Sequence, residues 1–321
     1  MVTVTIGIPT YNQKKYVESA IESALSQDYP SLEVIVADDC STDGTDKLVK
    51  KYVDDTRFKY VRNKENLGRV KNYRNLLYNL ATGDWYLNLD GDDLLLDRTY
   101  ISRCVNLVTE VKDLVLVYGI RQEVGEDFRF TDLRSTFEEK YSFSIFDGKE
   151  FFFSIPGRRN NRLNHLTCLY NRNLAMQIDF YRLPIISADY ESLYRLILFG
   201  KVGFLNVQAG GWRRHTNNIS ATQDIKKMID NYRLFTSVLS FALEKIPERL
   251  KDLHRWFVDS VSRKLYTNIL SLFYAKKYSE IENLISHCMN LSCRAVIKAL
   301  FNPKLYIKMM LHILRIGKLL R

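Results

Sequence analysis

The segment GDWYLNLDGDDLLL, residues 83–96, closes a run of alternating and apolar residues with three carboxylates in four positions, Asp90, Asp92 and Asp93. Like charges this close raise one another's pKa or need a counter-cation, and burying them without a partner is costly. Clustered carboxylates suit a hard divalent ion, Mg²⁺ or Mn²⁺, held by one or two protein oxygens together with substrate phosphates. The competing reading is a solvated acidic turn ahead of the next helix, because Asp and Gly are ordinary turn residues.

The surrounding elements favour chemistry over a turn. VTVTIGIP and LEVIVAD are short β-branched runs, and between them YVESAIESALSQ sets Val17, Ala20, Ile21, Ala24 and Leu25 on one helical face, a βαβ opening. GTDKLVKKYVDD, FKYVR, RVKNYRNLLYNLA, WYLNLD, a helix from about Asp97 and LVLVYGI continue the alternation. This predicts an α/β fold with a doubly wound, mainly parallel sheet and helices on both faces. In such a sheet the ligand crevice lies outside the carboxyl ends of the strands. PTYN (9–12), DDCSTDGT (38–45) and DGDD (90–93) all fall at those ends, so they should line one crevice.

The chain has neither GxGxxG after its first strand nor GxxxxGK[ST], so glycine-loop amides are not expected to cradle phosphates. A divalent cation is the remaining way to neutralise a diphosphate, and the acids of the DGDD segment suit that ion.

Composition sets the frame. The 321 residues, 46% hydrophobic and 26% charged, describe a globular chain able to bury a large core. The N-terminus lacks a signal-peptide pattern and no run reaches the 18 or so apolar residues of a membrane span, so a cytoplasmic location is expected. The five cysteines, Cys40, Cys104, Cys168, Cys288 and Cys293, show no CxxC spacing and read as reduced packing residues. Residues 1–100 hold 16 acids against 13 Lys and Arg, whereas residues 241–321 hold 15 Lys and Arg against 6 acids, so the tail carries nearly all of the net +10. A basic terminal segment suggests an acidic partner, nucleic acid or an anionic membrane.

In order and spacing, IGIPTYNQKKYVESAIESALSQDYPSLEVIVADDCSTDGT, NLGRVKNYRNLLYNLATGDWYLNLDGDD and ISADYESLYRLILFGKVGFLNVQAGGWRRHTNNIS resemble the successive motifs of family 2 glycosyltransferases, inverting enzymes of the GT-A fold. The resemblance spans about residues 1–220, which it marks as the nucleotide-sugar-binding and catalytic domain, with 221–321 as a basic helical region. It implies that Pro9, Thr10 and Tyr11 line the nucleotide pocket and that Asp39 accepts from the base, commonly uracil. Asn66, Lys71 and Arg74 would close that pocket or approach the phosphates. Asp90 and Asp92 would form the DxD element, Asp90 on the nucleotide side, with Asp92 or Asp93 ligating the metal. Asp189 falls at the position of the general base, although Ala188 stands where many relatives carry an acid. His215 matches a histidine that lies at the diphosphate and metal in relatives.

Inverting transfer needs what these positions offer. A single in-line displacement at the anomeric carbon, through an oxocarbenium-like transition state, requires one carboxylate to take the acceptor hydroxyl's proton opposite the leaving diphosphate. Asp189 is the candidate, against the plainer role of a helix N-terminal acid, and Glu191 is the alternative base. For His215 the plainer role is a packed or solvated histidine. Phe151, Phe152 and Phe153 read as core rather than a sugar-stacking platform, and GRRNNR (157–162) as a basic loop that could order over a sugar diphosphate.

Beyond residue 221 the pattern is helical. In PKLYIKMMLHILRIGKLLR, Lys304, Lys308, His312, Arg315 and Lys318 form one polar stripe on an otherwise apolar helix. That composition suits a helix lying in an anionic membrane interface, and the alternative is a core or dimer-interface helix. Together with the resemblance to family 2 glycosyltransferases, this predicts a metal-dependent hexosyltransferase, peripheral on the inner face of the cell membrane. It would use a UDP-sugar to extend a glycan or lipid-linked glycan, with no nucleic-acid partner and with homo-oligomerisation compatible. A sugar nucleotidyltransferase would show a Gly-rich basic loop after strand one, and a non-catalytic binding domain would have lost the DxD element or the base.

Overall fold

The computed structural model describes residues 1–130, 141–158, 162–216 and 222–319, with side chains up to residue 312. The chain divides into two compact units, Met1–Pro184 with Ala188–Asn217, and Ile185–Ser187 with Asn218–Arg321.

The first unit runs β1 (Val4–Thr10), α1 (Val17–Leu25), β2 (Leu32–Asp38), α2 (Thr45–Val49), β3 (Phe58–Arg62), α3 (Arg69–Asn75), β4 (Trp85–Asn88), β5 (Leu94–Leu95), α4 (Tyr100–Glu110) and β6 (Leu114–Val124). It continues with β7 (Phe143–Asp147), α5 (Gly148–Ser154), β8 (Leu169–Asn171), α6 (Arg172–Gln177), α7 (Ala188–Leu196) and β9 (Lys201–Arg213). The strands form one sheet in the order β3-β2-β1-β4-β8-β6-β9-β5, with β7 on β9. β3, β2, β1 and β4 are mutually parallel, so their carboxyl ends point the same way. β8 then enters antiparallel to both β4 and β6. That reversal brings the turn preceding β8, His165–Thr167, to the edge where β4 ends.

Every residue of β1 is buried, as a central parallel strand covered on both faces requires. Ile6 and Ile8 join Val34 and Val36 beneath Val17, Ala20, Ile21 and Ala24 of α1 and Ile101, Cys104 and Val105 of α4. Burying each such aliphatic side chain is worth ~1.5–3 kcal/mol, so the sheet end carrying the acids rests on a rigid base.

RVKNYRNLLYNLA reads from sequence as one continuous helix, but α3 stops at Asn75 and the chain continues as a π-helical turn, Leu76–Leu80, closed by Ala81 N–H to the Leu76 carbonyl. The wider turn seats Leu76 and Leu77 in the core. Phe151 and Phe152 are buried in α5, in line with their reading as core. Of the GRRNNR loop, residues 159–161 lie outside the described residues.

The second unit is helical: α8 (Ile225–Asp230), α9 (Arg233–Lys245), α10 (Leu250–Tyr274), α11 (Tyr278–Leu291), α12 (Cys293–Leu300) and α13 (Pro303–Leu319). No helix among the described residues is long and apolar enough to cross a membrane. In α13, Leu305 is buried, Lys308 lies over the Tyr266 ring and His312 packs on Phe273 and Tyr274, so Lys308 and His312 of the polar stripe lean on α10. Tyr306, Ile307, Met310 and Leu311 are exposed instead. The side chains of Arg315 and Lys318 lie outside the described residues.

Candidate active site

The three acids gather where β4 ends. Asp90 Oδ1 accepts from the Tyr73 hydroxyl at 2.7 Å and from Asn88 Nδ2 at 2.9 Å. Asp93 is buried and accepts the Arg213 backbone N–H at 2.9 Å, while Arg213 Nε donates to the Asp92 carbonyl at 2.8 Å. The glycine between Asp90 and Asp92 is closely packed: a Cβ on Gly91 would lie 2.6 Å from Gln13 Oε1, which would have to move, and 3.1 Å from the Pro9 carbonyl oxygen. One oxygen from each of Asp90, Asp92 and Asp93 falls within 4.8 Å of the others. His215 Nε2 lies 2.9 Å from Asp92 Oδ2, and the ring stacks on Tyr16 at a centroid distance of 5.0 Å.

Burial raises the Asp90 carboxyl above its usual range, opposed by His165 and reinforced by Asp92. Burial, then the charges of Asp92 and Asp90, raise Asp93 well above its usual range. Partly buried, mutually repelling carboxylates that converge beside an imidazole are a donor set for Mn²⁺ or Mg²⁺. The residues present fit the ion.

The other strand ends meet this cluster. The Gly91 N–H donates to the Pro9 carbonyl and the Asp39 N–H to the Thr10 carbonyl, while the Asn12 N–H reaches Ser41 Oγ at 2.9 Å. Thr10 is buried with its hydroxyl on Gln13 Oε1, and Tyr11 is 48% exposed, leaving its ring face accessible. Asp39 holds the following loop: Oδ1 accepts from Leu67 N–H and Asn63 Nδ2, and Oδ2 from Gly68 N–H. Three of about four lone-pair positions are thereby engaged. Gly68 has φ +85°, a conformation that favours glycine, and Asn66 Oδ1 caps the same N–H.

Lys71 and Arg74 lie on the far side of the same loop. They line a groove of about 400 Å³ with Leu67, Asn75, Tyr78 and Asn79. Arg74 donates to Asp179 Oδ1 at 2.7 Å and to the Phe180 carbonyl, and lies over the Tyr78 ring. The structure does not bring Arg74 to the acids. α3 turns Arg69 there instead, one helical turn before Tyr73. Burial works against the Arg69 guanidinium's charge, but Tyr73, Asp189 and Asp90 outweigh it and raise its pKa. Arg69 therefore lies in the field of both the acid cluster and Asp189.

Asp189 stands in the first turn of α7, its side chain 14% exposed. His165 Nδ1 lies 3.9 Å from Asp189 Oδ2. Glu191, by contrast, is fully buried and paired, with Oε1 accepting from Arg195 Nε at 2.8 Å and Arg182 Nε at 3.0 Å. Its second oxygen accepts from the other arm of the Arg195 fork. A carboxylate saturated by two guanidiniums has no free edge for an acceptor hydroxyl, so Glu191 is structural and the alternative base is set aside.

Sequence reading missed Arg69, His165, Tyr16, Asn63 and Arg213. Arg69 precedes Tyr73 by four residues on one helix face, which was legible. His165, Tyr16 and Arg213 come from distant segments and carry no local spacing signal.

Residues 5–173 match the family model described as glycosyl transferase family 2. The UDP-Glc:α-D-GlcNAc-diphosphoundecaprenol β-1,3-glucosyltransferase WfaP of Escherichia coli is 38% identical over 293 residues, 90% of this chain and 97% of that protein. The poly(ribitol-phosphate) β-N-acetylglucosaminyltransferase TarS of Staphylococcus aureus strain Mu50 is 32% identical over 119 residues, 36% of this chain, and the match spans about a fifth (21%) of TarS. Among solved structures, residues 1–349 of S. aureus TarS in complex with UDP-GlcNAc superpose with a TM-score of 0.68 at 18% identity, covering 89% of this chain and 81% of that one. The mannosyltransferase PcManGT of Pyrobaculum calidifontis, with GDP-Man and Mn²⁺, gives 0.56 at 15% identity, covering 98% and 86%. The sheet order and these superpositions make the fold GT-A, with a C-terminal helical region. On the match to residues 5–173 and the near full-length relative, the chain belongs to glycosyl transferase family 2.

Proposed function

We propose that the protein is a metal-dependent inverting glycosyltransferase that moves a hexosyl unit from a UDP-sugar to a hydroxyl of a lipid-linked oligosaccharide or polysaccharide. The observation that carries the reading is the contrast in α7: Asp189 keeps a partly exposed carboxylate that shares Arg69 with the acid cluster, while Glu191 is locked by Arg182 and Arg195. A divalent cation held by Asp92, Asp93 and His215 would supply charge neutralisation on the leaving diphosphate.

The chain's own residues do the rest. Pro9, Thr10 and Tyr11 line the nucleotide side, Asp39 offers its remaining lone pair to the base, and Asn66 shapes the loop above it. Lys71 lines the same groove as Leu67 of that loop, and Arg74 is tied to Asp179. Asp90, fixed by Tyr73 and Asn88, orients the donor, while Arg69 carries positive charge between Asp90 and Asp189. Asp189 takes the proton of the acceptor hydroxyl as its oxygen attacks the anomeric carbon and the diphosphate departs on the opposite face. A positioned base contributes about 10²- to 10⁴-fold in rate.

WfaP's UDP-glucose donor and GlcNAc-diphosphoundecaprenol acceptor make that pair the first to test here. Such an acceptor is membrane-bound. The exposed Tyr306, Ile307, Met310 and Leu311 of α13, flanked by exposed Lys304 and Lys308, support an anionic membrane surface as partner and a peripheral location on its inner face. The test is a panel of nucleotide sugars with Mn²⁺ or Mg²⁺, scoring nucleotide release with and without the lipid-linked acceptor. Acceptor-dependent release from one UDP-sugar is expected; no release from any donor would overturn the reading.

A further inference from the structure

We infer that His165 is a positioning residue that holds Asp189 Oδ2 and so turns the opposite carboxylate edge to the acceptor hydroxyl. The inference rests on Asp189 being the base. His165 belongs to none of the motifs that point to the site, yet its ring lies at the centre of a buried polar chain and is only 8% exposed.

The directions of the hydrogen bonds follow from chemistry. His165 Nε2 is 2.7 Å from the Tyr181 hydroxyl, which is 3.1 Å from the Tyr170 hydroxyl, and Nδ1 faces Asp189 Oδ2 at 3.9 Å. A lone pair on Nδ1 aimed at a carboxylate would be repulsive, so Nδ1 carries a proton. In that tautomer Nε2 accepts from Tyr181, which in turn accepts from Tyr170. Burial holds both phenols well above their usual pKa, so they keep their protons and the chain has a single consistent direction. At 3.9 Å the imidazole and the carboxylate form an electrostatic pair rather than a hydrogen bond. A small rotation of Asp189 closes it.

The ring is also held from below. Asn164 caps the turn, accepting from the Thr167 N–H and hydroxyl and donating to the Gly119 carbonyl. Tyr73, whose hydroxyl fixes Asp90, packs against His165 at a centroid distance of 5.9 Å. His165 thus couples the orientation of Asp189 to the wall that fixes the donor side. Rigid outer residues of this kind set how precisely a reacting group is aimed.

The test is steady-state transfer from UDP-glucose with Mn²⁺ and a GlcNAc-diphosphate lipid. Asparagine can place an N–H near the Nδ1 position, glutamine only near Nε2, and phenylalanine neither. His165→Phe and His165→Gln should lower kcat by about 10- to 100-fold with KM for the donor nearly unchanged, as loss of outer positioning partners commonly does. His165→Asn should restore most of kcat, and Tyr181→Phe should fall between. Wild-type kcat in His165→Phe beside an inactive Asp189→Asn would overturn the inference alone. Equal losses in the Asn, Gln and Phe variants would assign His165 to packing and overturn it too. An active Asp189→Asn would instead overturn the reading of the base.

Discussion

His215 Nε2 lies 2.9 Å from Asp92 Oδ2, although 123 residues separate the two in the chain. The pair joins the acid cluster to a further segment, with the His215 ring stacked on Tyr16 and Tyr16 tied by its hydroxyl to Glu126. Asp92→Asn and His215→Ala should each reduce turnover by at least about 10²-fold, because charge on the leaving group loses its neutralisation. Mn²⁺ titration of activity checks this: the half-saturating concentration should rise in both variants, and chelation should abolish wild-type turnover.

The two acids of α7 should separate stability from catalysis. Glu191→Gln leaves Arg195 in a buried site without its carboxylate, and breaking a buried pair in this way costs about 3–5 kcal/mol. Asp189→Asn breaks only the looser 3.9 Å contact with His165 and should leave the urea midpoint little changed while turnover collapses. Denaturation curves and initial rates on the same two preparations decide it.

Much of this arrangement was legible in the sequence. The β1-α1-β2 opening, the parallel strand ends and the convergence of the 9–12, 38–45 and 90–93 segments follow from β-branched runs alternating with amphipathic ones. The three-acid cluster was legible because charge repulsion is a local property. Arg74 was not placed by its motif, because helix rotation aims it at Asp179 while Arg69 faces the acids. His165 was invisible: an antiparallel strand inserted between β4 and β6 delivers it, and pairing order is not written in local periodicity. On α13, that Lys308 and His312 lean on the rings of α10 could not be read from the periodicity of that helix alone.

A pH effect on stability should arise at the sheet's opposite edge. The Thr3 N–H, then the Thr3 hydroxyl, hold Asp84 below the usual carboxylate range. A depressed carboxylate stabilises the fold above its unfolded pKa, and that contribution fades as pH falls through the folded value. Asp84→Asn should therefore be less stable than wild type near neutrality, with the gap shrinking in acid. Urea midpoints of both proteins from pH 7 to pH 3 measure it, and a constant gap would contradict it.

The exposed row on α13 gives a binding prediction. Ile307→Glu with Leu311→Glu replaces two half-exposed apolar groups by charges and should abolish co-sedimentation with anionic vesicles. Turnover on a short, soluble acceptor should be unaffected. Co-sedimentation equal to wild type would remove the membrane from the account.

The central claim is a single displacement with Asp189 as the base, and the configuration of the product tests it most directly. NMR of the disaccharide formed from UDP-α-glucose should show only a β-linkage, and Asp189→Asn should form it at least about 10²-fold more slowly with donor affinity retained. An α-linked product, or an undiminished rate in Asp189→Asn, would contradict the account.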